Sequence, residues 1–213
     1  MTQRSANVVR YRWIVFLLAL GYWLYQFKDV LDPDAGLGWQ FRFLTIWALT
    51  ASLVSAIAVL RLSLGRTDHR PETLAGVAAV MNVIVVYLYW KLYFENPANV
   101  NGNGPIVWWQ EYYLHVVGPV LQWIDAFFLL GTFRRVPPIV VGLLVVVLAY
   151  VGWAEVIVHP ANARPVGSVT SGLPYPFLNN MQFPARAVFY AGTGALCLIV
   201  VAVGWGLNRL IHR

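Results

Sequence analysis

The chain has 213 residues, of which 59% are hydrophobic and only 11% charged. A soluble domain carries about 25% charged residues, so this composition points to a bilayer and excludes a sizeable water-soluble domain. The net charge of +6 is no sign of nucleic-acid binding, because the lysines and arginines sit between apolar runs, where membrane orientation requires them.

Six apolar runs come near the ~20 residues that a helix needs to cross. They cover residues 12–27, 43–64, 74–94, 106–130, 138–158 and 185–207. The sequence therefore predicts an all-α integral membrane bundle of six transmembrane helices, a single domain over residues 1–213. The first run lacks a small-x-small cleavage site and continues into Tyr22-Trp23-Leu24-Tyr25, so it reads as a retained span, not a signal peptide. The single cysteine, Cys197, lies in the last run, which leaves no disulfide framework and no zinc pattern. No cofactor or metal is expected.

In the second span Thr45, Ala48, Ser52 and Ser55 share one narrow arc. Close helix packing explains such a stripe without any chemistry. Asn82 is the one amide near mid-depth of the third span, and an unpaired amide in hydrocarbon is expensive. An interhelical hydrogen bond is its plain explanation; a ligand contact is the sharper one. Tyr87, Tyr89 and Tyr93 read as belt or packing residues. The following loop, residues 96–105, is turn-rich and expected to be exposed.

The fourth span organises the rest. His115 is the only histidine well inside any apolar run, and an intramembrane ionisable residue is a site hypothesis by default. Pro119, four residues on, has no N–H for the carbonyl of residue 115, so a kink and a free acceptor are expected there. Gly118 adds room for a neighbouring helix or ligand. Glu111, His115 and Gln122 fall on one helical face. A polar, kinked face inside a membrane is more often a cavity wall than a lipid contact.

Pro137-Pro138 opens the fifth span, where a missing N–H is harmless. Glu155 and His159 close it, and an interfacial place with water access explains both. The loop over residues 160–184 is irregular at 168–172 and ends in Leu173-Pro174-Tyr175-Pro176-Phe177-Leu178-Asn179-Asn180. That segment can lie along the interface or dip back as a lid. Gly192, Gly194, Ala195, Gly204 and Gly206 suit the sixth span to close packing. No inverted internal repeat of the transporter kind is found.

Lys and Arg divide ten to five in favour of the side carrying the termini, which predicts both termini in the cytoplasm. Counting down each helix at 1.5 Å per residue puts Thr45 and His115 in the outer half of the bilayer, roughly 7 Å apart in depth. A threonine hydroxyl is a weak nucleophile unless a base takes its proton, and neutral histidine is the commonest base.

Leu44-Thr45 early in span two, Leu114-His115 followed by Pro119 and Asp125 in span four, and Tyr175-Pro176-Phe177-Leu178 before span six occur together in this order. By these residues the chain resembles the androgen-induced-protein family of membrane-embedded threonine hydrolases, to which the androgen-dependent TFPI-regulating protein belongs. Pro119 and Asp125 look closer to its bacterial six-span branch. The resemblance implies a hydrolase of fatty acid esters, such as fatty acid esters of hydroxy fatty acids, with Thr45 as nucleophile and His115 as its partner. Asn82 and Tyr175 are candidate oxyanion donors, and Glu111, not Asp125, is the candidate for orienting His115. Gln122 completes the polar face. The implied partners are a lipid ester and membrane lipids. A lipid-binding or transport protein without turnover is the alternative. A haem-type electron carrier ranks low because a second intramembrane histidine is missing.

Overall fold

The computed structural model describes residues 3–28, 31, 37–101, 106–162 and 172–212. Among these the chain is all-helical, with no strand. Six helices are long and apolar enough to cross a membrane. They are α1 (Ala6–Tyr25), α2 (Leu44–Ser63), α3 (Glu72–Glu95), α4 (Trp108–Leu130), α5 (Val136–Ala161) and α6 (Phe183–Ile211). Five match the apolar runs to within a few residues. The first begins six residues earlier than predicted, because Arg12 is not at its end but inside the bundle, fully buried against Asp125 of α4. The predicted loop residues 102–105 and 163–171 lie outside the described residues.

Valine-rich runs such as 139–147 of α5 have modest helix propensity in water, yet they are helical here. In lipid each backbone N–H and C=O must bond within its own segment, and this overrides the β-branched preference. α5 turns Val141, Leu144, Val145 and Leu148 outward, an exposed apolar face of the kind a membrane span presents to lipid. α3 is the central helix, touching α2, α4, α5 and α6. Its approach to α5 rests on two glycines. A Cβ on Gly76 would meet Ile139 at 2.6 Å, and one on Gly142 would meet Val77 at 2.8 Å. Small residues permit such contacts between membrane helices.

The two ends of the bundle are closed differently. At the terminal end, Gln3 donates to the Leu129 carbonyl, Arg70 to that of Leu130, and His212 to that of Phe127. Gln3 and His212 therefore lie at one end of the bundle. At the far end, Tyr150 of α5 donates to the Arg42 carbonyl at 3.1 Å. Asn162 bonds both the N–H and the C=O of Leu37 there.

Three stretches widen from α to π geometry: Tyr113–Val117 and Asp125–Leu130 in α4, and Trp153–Val158 in α5. They contain His115, Asp125 and Glu155 respectively. π segments are frequent at functional sites because the extra residue per turn re-aims side chains and frees backbone acceptors.

Candidate active site

The expected kink takes the form of the first π segment. The Gly118 N–H reaches back five residues to the Tyr113 carbonyl. A Cβ on Gly118 would press on that same carbonyl at 3.0 Å, so the glycine serves the widened turn of its own helix rather than a neighbour. The His115 carbonyl, which Pro119 cannot satisfy, accepts a hydrogen bond from the Trp90 indole Nε1 at 3.1 Å. A buried acceptor without a partner costs about 1–3 kcal/mol, so this cross-helix bond fixes α3 to α4 at the level of the imidazole.

The imidazole itself is held on three sides. The Tyr89 ring stacks on it with centroids 3.6 Å apart and planes 9° from parallel. Nδ1 lies 3.1 Å from Glu111 Oε2 and 3.2 Å from the Glu111 carbonyl oxygen, one turn back on α4. Nε2 lies 3.4 Å from Thr45 Oγ1 at the start of α2. That distance is at the long end of a hydrogen bond, as nucleophile–base pairs often are without substrate. His115 is only 3% exposed.

Thr45 and His115 thus meet at one level, although helix counting separated them by roughly 7 Å. The helices do not start together: α4 begins roughly 9 Å further out than α2, by the same rise per residue.

Tyr175 lies beside the pair. Its hydroxyl oxygen accepts the Leu44 N–H at 3.1 Å, at the N-terminus of α2. Burial pushes its phenol up to about 12, against the main-chain N–H groups of Leu44 and Thr45, which pull it down. The segment carrying it packs against the start of α2. Pro176–Asn179 is a short helix packed against the turn Ala98–Asn101.

Thr45, Tyr89, His115 and Tyr175, with Glu111, line a cavity of about 260 Å³. Gln26, Gln40 and Gln110 also line it, as do Met81, Ile84, Leu143, Val146 and Cys197. Side chains from α2, α3, α4, α5 and α6 meet there. The arrangement can hold an apolar chain with a polar group at the threonine.

Asn82 and Gln122 lie elsewhere. Asn82 donates to Ser52 Oγ at 2.7 Å and to the Ala78 carbonyl, while Gln122 donates to the Ser52 carbonyl at 3.2 Å. Both line a void of about 10 Å³ under Thr45, separate from the main cavity. They tie α2, α3 and α4 together, the plain reading of an intramembrane amide.

Asp125 is far from His115. Its two oxygens accept Arg12 Nε and Nη2, each at 2.7 Å, and Arg12 Nη1 donates further to Ser63 Oγ and the Val59 carbonyl. Glu155 departs from the water-exposed role expected of it. It accepts both arms of Arg186 at 2.7 and 2.9 Å and the Tyr190 hydroxyl at 2.7 Å, with His159 at 3.4 Å. Sequence reasoning missed Tyr89, Trp90 and Tyr150. The first two stood in an aromatic-rich end that reads as a belt, and only the orphaned carbonyl at His115 signalled that some donor was needed.

Six apolar helices around a polar Thr–His pair, its histidine buried, define a multi-pass membrane protein with its candidate site inside the bundle. The family model of the FAR-17a/AIG1-like proteins matches residues 9–209, and the chain belongs to that family, the androgen-induced proteins. No curated protein and no solved structure matches it.

Proposed function

We propose that the protein is a membrane-embedded lipid ester hydrolase in which Thr45 is the nucleophile and His115 its base. The observation that carries this reading is the 3.4 Å approach of Thr45 Oγ1 to His115 Nε2 on the wall of a largely apolar cavity. Packing alone does not require an imidazole to point at a hydroxyl inside a membrane, where each polar group is costly.

In the reaction the imidazole carries its proton on Nδ1, held by Glu111, and leaves Nε2 free to accept. Thr45 Oγ attacks the ester carbonyl as His115 takes its proton. The C–O bond to the alcohol breaks, and that alcohol leaves with the proton from His115. Water, deprotonated by the same nitrogen, then attacks the acyl–threonine, releasing the acid and restoring the hydroxyl. The oxyanion forms next to the Tyr175 hydroxyl and the positive N-terminus of α2, both suited to developing negative charge. Tyr175 is the oxyanion donor in this proposal; Asn82 and Gln122 act on the helix frame instead.

The acyl chain lies between α3, α5 and α6. A fatty acid ester of a hydroxy fatty acid is the family's substrate type and fits this layout. The terminal end, richer in Lys and Arg, faces the cytoplasm.

The test is hydrolysis of a long-chain fatty acid ester by the purified protein in detergent. Thr45→Ala should abolish turnover with an unchanged thermal melt, while Thr45→Ser should keep part of it. Full activity in Thr45→Ala would move the assignment to lipid binding without turnover.

A further inference from the structure

The terminal end of the bundle holds a second pocket, of about 610 Å³, lined by Arg134, Asn208, Arg209 and His212. Arg134 comes from the loop between α4 and α5, the other three from the end of α6. The loop is held in an unusual shape. Gly131 and Phe133 both have left-handed backbone, at φ +66° and +71°. That conformation is costly for phenylalanine and persists only where packing imposes it. Packing does impose it: the Phe133 ring lies flush on Gly204 of α6, where a Cβ would meet it at 2.9 Å.

The consequence is a convergence of the Arg134 and His212 side chains on the loop. A Cβ on Gly131 would meet Arg134 Nη2 at 3.0 Å and His212 Nε2 at 3.1 Å, so both heads crowd over one glycine. His212 Nε2 is 2.7 Å from the Phe127 carbonyl, and the Arg209 guanidinium lies over the Trp205 ring at 4.0 Å. Among the described residues no carboxylate forms an ion pair with Arg134 or Arg209; the pairs present engage other cations. Asn208 is 5% exposed, and its Oδ1, an acceptor suited to a headgroup hydroxyl and not to the phosphate itself, has no hydrogen-bond partner. Beside these groups Phe128 of α4 and Leu207, Leu210 and Ile211 of α6 are exposed.

We propose that this pocket binds the phosphate of an anionic phospholipid. Guanidinium forks match phosphate oxygens in geometry as well as charge. The place is the end of three membrane spans, where lipid headgroups lie, and the exposed apolar residues give the acyl chains a surface. A free phosphate would use the cations and leave that surface idle. The site is independent of the ester chemistry.

The test is native mass spectrometry of the full-length protein from detergent, with phosphatidylglycerol or phosphatidylcholine added. Phosphatidylglycerol should be retained in preference. Its retention should fall about tenfold in the Arg134→Gln/Arg209→Gln double variant, since each surface cation contributes appreciably to anionic-lipid binding. A charge-matched Arg61→Gln/Arg66→Gln control should leave it unchanged. Equal losses in both double variants, or equal retention of the two lipids, would overturn the proposal. Displacement of the lipid by inorganic phosphate at equal concentration would also overturn it, assigning the pocket to a free anion.

Discussion

The ion pair between Arg12 and Asp125 sets a stability test that is independent of the chemistry. Arg12 is 0% exposed and Asp125 5%, and two 2.7 Å bonds join them. In Asp125→Ala, Arg12 keeps Ser63 Oγ and the Val59 carbonyl, which are neutral acceptors and leave its charge uncompensated. Removing one partner of a buried pair costs about 3–5 kcal/mol. Arg12→Ala strands the carboxylate and should cost a similar amount. The double variant Arg12→Met/Asp125→Leu removes both charges and restores volume, so it should lie within about 1–2 kcal/mol of wild type, far from the sum of the singles. The assay is equilibrium unfolding in mixed detergent micelles for all variants. A cost below about 1 kcal/mol for Asp125→Ala, or additive singles, would refute the claim that this pair locks α1 to α4.

A second cycle concerns the orphaned carbonyl. Trp90→Phe should cost about 1–3 kcal/mol by leaving the His115 C=O unsatisfied, and Pro119→Ala, which restores an N–H, should reduce that cost; equal costs in both backgrounds, by thermal melts, would refute the pairing. His115→Ala should lower kcat by about 10²–10⁴ with little change in fold, the usual contribution of a general base. Glu111→Gln should be milder, about tenfold in kcat, because the Glu111 main-chain carbonyl still holds Nδ1; a loss as large as that of His115→Ala would contradict it. Tyr175 has its phenol raised to about 12, so it stays a donor through neutral and moderately alkaline pH. Its contribution to stability is full below pH 10 and is lost as pH rises towards 12. Tyr175→Phe should therefore lower kcat alike from pH 6 to pH 9.

The six spans were legible because hydrocarbon imposes length and apolarity on each helix separately. His115 stood out as an ionisable group where polarity is costly, whereas Thr45 by its own spacing read as part of a packing stripe and was joined to His115 by similar depth and the family resemblance. What lay hidden was pairing across helices. Nothing in the spacing of Arg12 joins it to Asp125, so an arginine buried in the first span read as a charge of the tail. Glu155 likewise read as interfacial, since its partner Arg186 stands 31 residues further on. Pro119 announced a free acceptor, yet Trp90 could be matched to it only once α3 and α4 were docked. Asn82 shows the opposite case. Its cost in lipid was plain, and Ser52 on α2 meets it without any ligand.

The central claim is that Thr45 becomes acylated. Treating the purified protein with an activated long-chain ester or a fluorophosphonate probe, then mapping the modified residue by mass spectrometry, tests it most directly. The expected result is an adduct on Thr45 that disappears in Thr45→Ala and is strongly reduced in His115→Ala. An adduct on another residue, or labelling unchanged in Thr45→Ala, would contradict it.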